Sequence, residues 1–165
     1  MFGTSFIFFV NTTHTLSTTK SHNKPWIIDS GATDHITCSL HYFHTHSKIR
    51  LVNINLTNGH VVKAHISGTI YFSPTFAIHD VLYVLEFTFN LLSISKLISN
   101  LKYSITFSHY SCQIQEMNTL KIIGSTKLKE GLYHLEIKEK ESSSQLPFYH
   151  QCKHQPYQWF YPLAF

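Results

Sequence analysis

A chain of 165 residues is sized for one domain with short appendages, and its 43% hydrophobic content, with 13 Phe and 9 Tyr, argues against disorder across the middle. The formal charge of +4 comes from scattered rather than clustered Lys and Arg, which argues against a dedicated nucleic-acid surface. Three widely spaced cysteines, Cys38, Cys112 and Cys152, include no Cys-x-x-Cys pair, so neither a disulfide framework nor a zinc ribbon is indicated and a reducing compartment fits best.

The opening MFGTSFIFFV has an apolar run shorter than a secretory core and no basic residue ahead of it. No apolar run approaches the roughly 20 residues that cross a bilayer, so no membrane partner is expected. Residues 1–24 are Thr/Ser-rich and without period, and are read as a disordered or unrelated extension. Order is expected from Pro25.

From there short strands alternate with turn residues, the pattern of a small all-β barrel or sandwich. WIID is an apolar strand feeding a Gly turn. IRLVNINLTNGHVVKAHI reads as two strands around Asn58-Gly59, a hairpin signal of type I′ in which both central residues need positive φ. Ser67-Gly68 marks a further turn. TIYFS and FAIHDVLYVL follow as strands, the second central because it is nearly all apolar.

Leu91, Ile94, Leu97, Ile98 and Leu101 then fall at helical spacing, which predicts one short helix over NLLSISKLISN with Asn90 as its N-cap. YSITF, SCQIQ, LKIIGS and GLYHLEI predict a four-strand meander. The domain reading is therefore a β-barrel over 25–101, a meander over 102–138, and a divergent, disordered tail over 139–165.

The stretch WIIDSGATDHIT carries the chemistry. A carboxylate at the end of an apolar strand costs several kcal/mol to bury, on the order of 2–7, unless it is hydrogen-bonded or paired. Gly31 permits a sharp turn and close approach, and the Ser30 hydroxyl is placed to donate to a backbone carbonyl and lock that turn. These are the parts an aspartic protease needs in each half of its site. Two carboxylates about 3 Å apart share one proton: the ionised one activates water and the protonated one polarises the scissile carbonyl. One such loop is present, so Asp29 is expected to meet its mate in a second copy of the chain, as a two-fold dimer. The same tripeptide also occurs by chance in surface turns, where Asp accepts backbone N–H bonds. The apolar strand before it, small Ala32 after it and a Gly-containing hairpin thirty residues on lift the catalytic reading without displacing the surface turn.

WIIDSGATDHIT, NGHVVKAHISGTI, IHDVLYVLEFTFNLLSISKLI, YSITF, CQIQ, IIGS and GLYHLEI, in that order, resemble the protease region of the Pol polyprotein of copia-type LTR retrotransposons, together with the start of the segment preceding integrase. The resemblance covers roughly 25–137 and marks the chain as a fragment of a polyprotein. It implies a small closed β-barrel like that of retroviral aspartic proteases, active as a homodimer on a Gag-Pol peptide substrate in cytoplasmic particles, with no cofactor. Asp29 matches the catalytic acid, Ser30, Gly31 and Ala32 its loop, and the hairpin bearing Asn58, Gly59 and Gly68 the flap. Asp34 and His35 match the family pattern but are read as a turn-capping acid and a half-exposed histidine.

Leu85 departs from the family's usual LYVP, and the zinc knuckle and the His/Cys zinc site of the neighbouring segments are missing. His150, Cys152 and His154 are spaced too tightly for an ordinary zinc finger, and no metal is expected. The alternative to the protease is a catalytically inactive β-barrel remnant of the same polyprotein.

Overall fold

The computed structural model describes residues 24–136 and, for backbone only, residues 4–7. His150, Cys152, His154 and the tail expected over 139–165 lie outside the described residues. Eleven strands and one short helix, α1 (Ile94–Ile98), make the fold mostly β. In chain order the strands are β1 (Thr4–Ile7), β2 (Trp26–Asp29), β3 (Ile36–Thr37), β4 (Thr45–Leu56), β5 (Val61–Ser73), β6 (Phe76–Tyr83), β7 (Asn90–Ser93), β8 (Tyr103–Phe107), β9 (Cys112–Glu116), β10 (Ile122–Lys129) and β11 (Leu132–Glu136). Thr4–Ile7, inside the stretch expected to carry no structure, pairs in parallel with β4.

All the strands belong to one sheet in the order β1-β4-β5-β6-β3-β7-β2-β11-β10-β9-β8. The expected closed barrel is therefore corrected: β1 and β8 are edges with no ladder between them. The sheet instead curls until distant strands share a core. One cluster joins Ile27 of β2 to Ile54 of β4, Ala64 of β5 and Leu82 of β6. A second joins Trp26 and Ile28 to Phe76 and Ile78 of β6, Leu97 of α1, Tyr103 of β8 and Ile114 of β9. Adjacent residues of β2 thus enter opposite cores, as the two-residue period of a strand requires when both faces are covered. The Tyr103 hydroxyl, which donates to Ala77 O at 3.2 Å, ties β8 to β6.

The β4–β5 hairpin forms where Asn58-Gly59 places it, with a different turn. Leu56 N–H donates to His60 O at 2.8 Å and Gly59 N–H to Leu56 O at 3.0 Å, leaving a loop over 57–59 in which Gly59 alone has positive φ, +81°. This is the three-residue loop ending in a left-handed glycine, not type I′. Nor is there a turn at Ser67-Gly68, because β5 runs straight through it. Gly68 lies opposite His46 of β4 in the antiparallel ladder, at close approach: a Cβ there would meet Phe43 Cδ1 at 2.7 Å, His46 Cβ at 2.8 Å and, closer still, the carbonyl of Thr45. The glycine is a close-approach residue rather than a turn former.

The predicted helix over 90–100 is corrected to β7 followed by α1. Ser93, not Asn90, is the N-cap, its Oγ accepting from Lys96 N–H at 3.2 Å. Leu91 and Leu92 are both buried, one in each core, which only a strand between two cores allows. Leu85 lies past the end of β6 and is 70% exposed.

Gly68→Ala forces backbone apart and is expected to cost about 1–3 kcal/mol or more in urea unfolding. Gly59→Ala, whose Cβ would meet nothing within 4 Å but whose φ is positive, should cost about 1–2 kcal/mol. A Gly68→Ala protein as stable as the parent contradicts the close approach.

Candidate functional site

Asp29 is the last residue of β2 and pairs in register with Ser93 of β7. It is half-buried, and Gly31 N–H donates to its Oδ1 at 2.7 Å. Burial raises the carboxyl above its ordinary range, while the N–H groups of Gly31 and Ala32 pull the other way. Ser30 is exposed in this loop, and Ala32 is buried at 1% exposure.

The hydroxyl expected to lock the loop is not Ser30's. Ser93 Oγ donates to Ala32 O at 2.6 Å and Ser95 Oγ to the same oxygen at 3.2 Å. Ser93 therefore serves two ends at once, holding the Asp29 loop and capping α1. Its own N–H donates to His35 Nδ1 at 3.0 Å. A continuous path of hydrogen bonds runs from His35 through Ser93 to Ala32, beside Asp29.

His35 is 2% exposed, which corrects the half-exposed reading. Its pKa is lowered to about 3, first by burial and then by the charge of Lys96, with Asp34 opposing and His79 adding a little. The ring is neutral, and because Nδ1 accepts from Ser93, its proton sits on Nε2. Asp34, expected to cap a turn, also meets Lys96 Nζ at 2.8 Å, and that ammonium donates to Asp80 O at 3.1 Å. Asp80 presents this carbonyl from a bulge in β6, where its φ is +52°.

The opposite end of β7 is held by Asn90, fully buried. Its Oδ1 accepts from Thr37 Oγ1 at 2.8 Å and Cys38 N–H at 3.2 Å, and its Nδ2 donates to Lys24 O at 3.0 Å. Asn90 thereby joins the entry of β2 to the exit of β3.

Among the expected site residues, the structure brings Asp29, Gly31 and Ala32 together. It places Asn58 and Gly59 at a hairpin tip, where His60 N–H donates to Asn58 Oδ1, and Gly68 opposite His46 of β4. Asp29 borders neither of two cavities, one of about 170 Å³ beneath α1 and an open groove of about 310 Å³ at the base of the hairpin. Sequence reasoning missed Ser93, Ser95 and Lys96, whose signal, Ser-x-Ser-Lys, lay inside a pattern read as helix. No helix of the described residues is long and apolar enough to cross a membrane.

Two outcomes follow from this geometry. The unfolded chain protonates His35 near 6.5 while the folded chain resists until about 3, so stability should fall progressively as pH drops through that window, by roughly 4 kcal/mol in all. Urea midpoints measured from pH 7 to pH 3 check this, with His35→Gln expected to flatten the slope; an unchanged slope contradicts it. Ser93→Ala removes a cap and one donor to a buried carbonyl that Ser95 still serves, and should cost about 1–3 kcal/mol by the same method.

Residues 26–102, from β2 through α1, match the family model described as Pol polyprotein, beta-barrel domain. No curated protein and no solved structure matches the chain. The match supports a retrotransposon Pol origin for this stretch, whose strands carry every residue of the Asp29 loop.

Proposed function

We propose that this chain carries a copia-type aspartic endopeptidase domain in which Asp29 is one carboxylate of a pair and Asp29 of a second copy is the other. The observation that carries the reading is the half-buried Asp29 carboxylate, held by Gly31 N–H at 2.7 Å on a loop of small residues beside exposed Ser30. Burial already favours the protonated form, and a second carboxylate brought alongside would leave one proton shared between the two. The ionised member then takes a proton from water as that water attacks the peptide carbonyl, and the protonated member donates to the carbonyl oxygen. An extended segment of a Gag-Pol precursor, bound as a strand with apolar side chains in pockets, is the substrate this reading assigns, with the β4–β5 hairpin as the cover. Cytoplasmic particles are the matching location.

The second reading is an inactive remnant of the same polyprotein, and neither of the two cavities described above is bordered by Asp29.

Cleavage of an apolar peptide by the full-length chain separates the readings. The protease reading expects turnover best at mildly acid pH, inhibition by a pepstatin-type compound, and a loss of about 10²–10⁴-fold in kcat for Asp29→Asn with sedimentation unchanged. An Asp29→Asn chain that cuts as fast as the parent removes Asp29 from the mechanism. A dimer that cuts nothing establishes the remnant.

A further inference from the structure

The cavity beneath α1 has a volume of about 170 Å³ and is bordered by His35, Ala77, Ile78, Lys96, Leu97 and Tyr103 among others. An engineered cavity of about 150 Å³ admits benzene, so this one has space for a molecule of five or six heavy atoms. Its polar groups are nearly all engaged. The Tyr103 hydroxyl donates to Ala77 O at 3.2 Å, Lys96 Nζ binds Asp34 and Asp80 O, and Asn100 Oδ1 accepts from Lys102 N–H at 3.0 Å.

The His35 ring is engaged through one nitrogen only. Its side chain is 2% exposed, Nδ1 is taken by Ser93 N–H, and among the described residues no acceptor meets Nε2–H. Among the described residues no wholly enclosed side-chain nitrogen or oxygen lacks a partner, so Nε2 is open to the cavity that His35 borders. An oxygen placed in the cavity can therefore accept from this N–H.

We propose that this cavity is a binding site for a small neutral molecule presenting one carbonyl oxygen, an amide or ketone, which accepts from His35 Nε2–H. Charge selects neutrality. Lys96 is already balanced by Asp34, the His35 ring carries no charge, and Asp80 adds a negative group to the lining. A carboxylate would therefore enter without a free cation to receive it. Ala77, Ile78 and Leu97 supply apolar wall for a short alkyl body. Because His35 Nδ1 receives Ser93 N–H and Ser93 Oγ holds Ala32 O, occupancy of the cavity is felt at the Asp29 loop. The site stands whether or not Asp29 is catalytic.

The test is an NMR titration of the ¹⁵N-labelled full-length chain at pH 7 with N-methylacetamide, and with acetate as the charged control. The proposal expects saturable shifts of His35 Nε2 and the Ser93 amide and an intermolecular NOE from His35 Hε1 to a probe methyl. It further expects binding at least tenfold weaker for acetate and tenfold weaker to His35→Phe. If His35→Phe does not fold, the NOE in the parent chain decides. Shifts linear in probe, acetate binding as tightly, or a His35 NOE to water that the probe does not displace would each overturn it.

Discussion

The fold of this chain depends on a four-residue strand inserted between two others. β7 lies between β2 and β3, parallel to one and antiparallel to the other, so the Asp29 loop leaves β2 on one side of β7 and returns as β3 on the opposite side. Its two middle residues, Leu91 and Leu92, each enter a different core, and its two end residues are buried and polar. Asn90 fixes where β2 begins and Ser93 fixes the loop where β2 ends. Backbone groups at both ends would be stranded without those side chains, and satisfying them sets the register of Asp29. The position of the carboxylate is thus a consequence of sheet topology as much as of its own tripeptide.

Two buried titrations oppose each other in this small region. Burial raises the Asp29 carboxyl, so the fold gains relative to the unfolded chain below the ordinary carboxylate range and loses that gain as pH rises through the raised value. Burial lowers His35 to about 3, so the fold is unpenalised above 6.5 and progressively penalised below it. The Ser93 contact requires the neutral His35 ring and is therefore favoured away from acid. The ion pair of Asp34 with Lys96, each about a quarter exposed, shields His35 from part of the ammonium's charge and ties α1 to the loop.

Much of this was legible in the residues and some of it could not be. β2, the β4–β5 hairpin and the final meander stand near where alternation and turn residues put them, because each is a local pattern. The segment over 90–100 misleads for a physical reason: Leu91, Ile94, Leu97, Ile98 and Leu101 have helical spacing, yet Leu92 is buried as well, and a strand covered on both faces leaves no alternation to detect. Leu101 is 83% exposed, so part of the apparent stripe was never a packed face. Gly68 looked like punctuation because glycine signals turns, whereas its use is the approach of β4, a contact between strands that no local window contains. Ser93 and His35 were illegible for the same reason, their partners being 61 and 58 residues away. Closure of the barrel required the two edge strands, β1 and β8, to pair with each other, a contact between the ends of the sheet that no local window contains.

The central claim is that each chain contributes one carboxylate, Asp29, to a site that two chains share. The direct measurement is peptide cleavage at fixed total protein while parent chain is mixed and exchanged with Asp29→Asn chain in increasing proportion. One carboxylate per chain predicts activity falling as the square of the parent fraction, because only parent–parent pairs retain both acids. A fall in simple proportion to the parent fraction would mean that each chain works alone, and the account would be wrong.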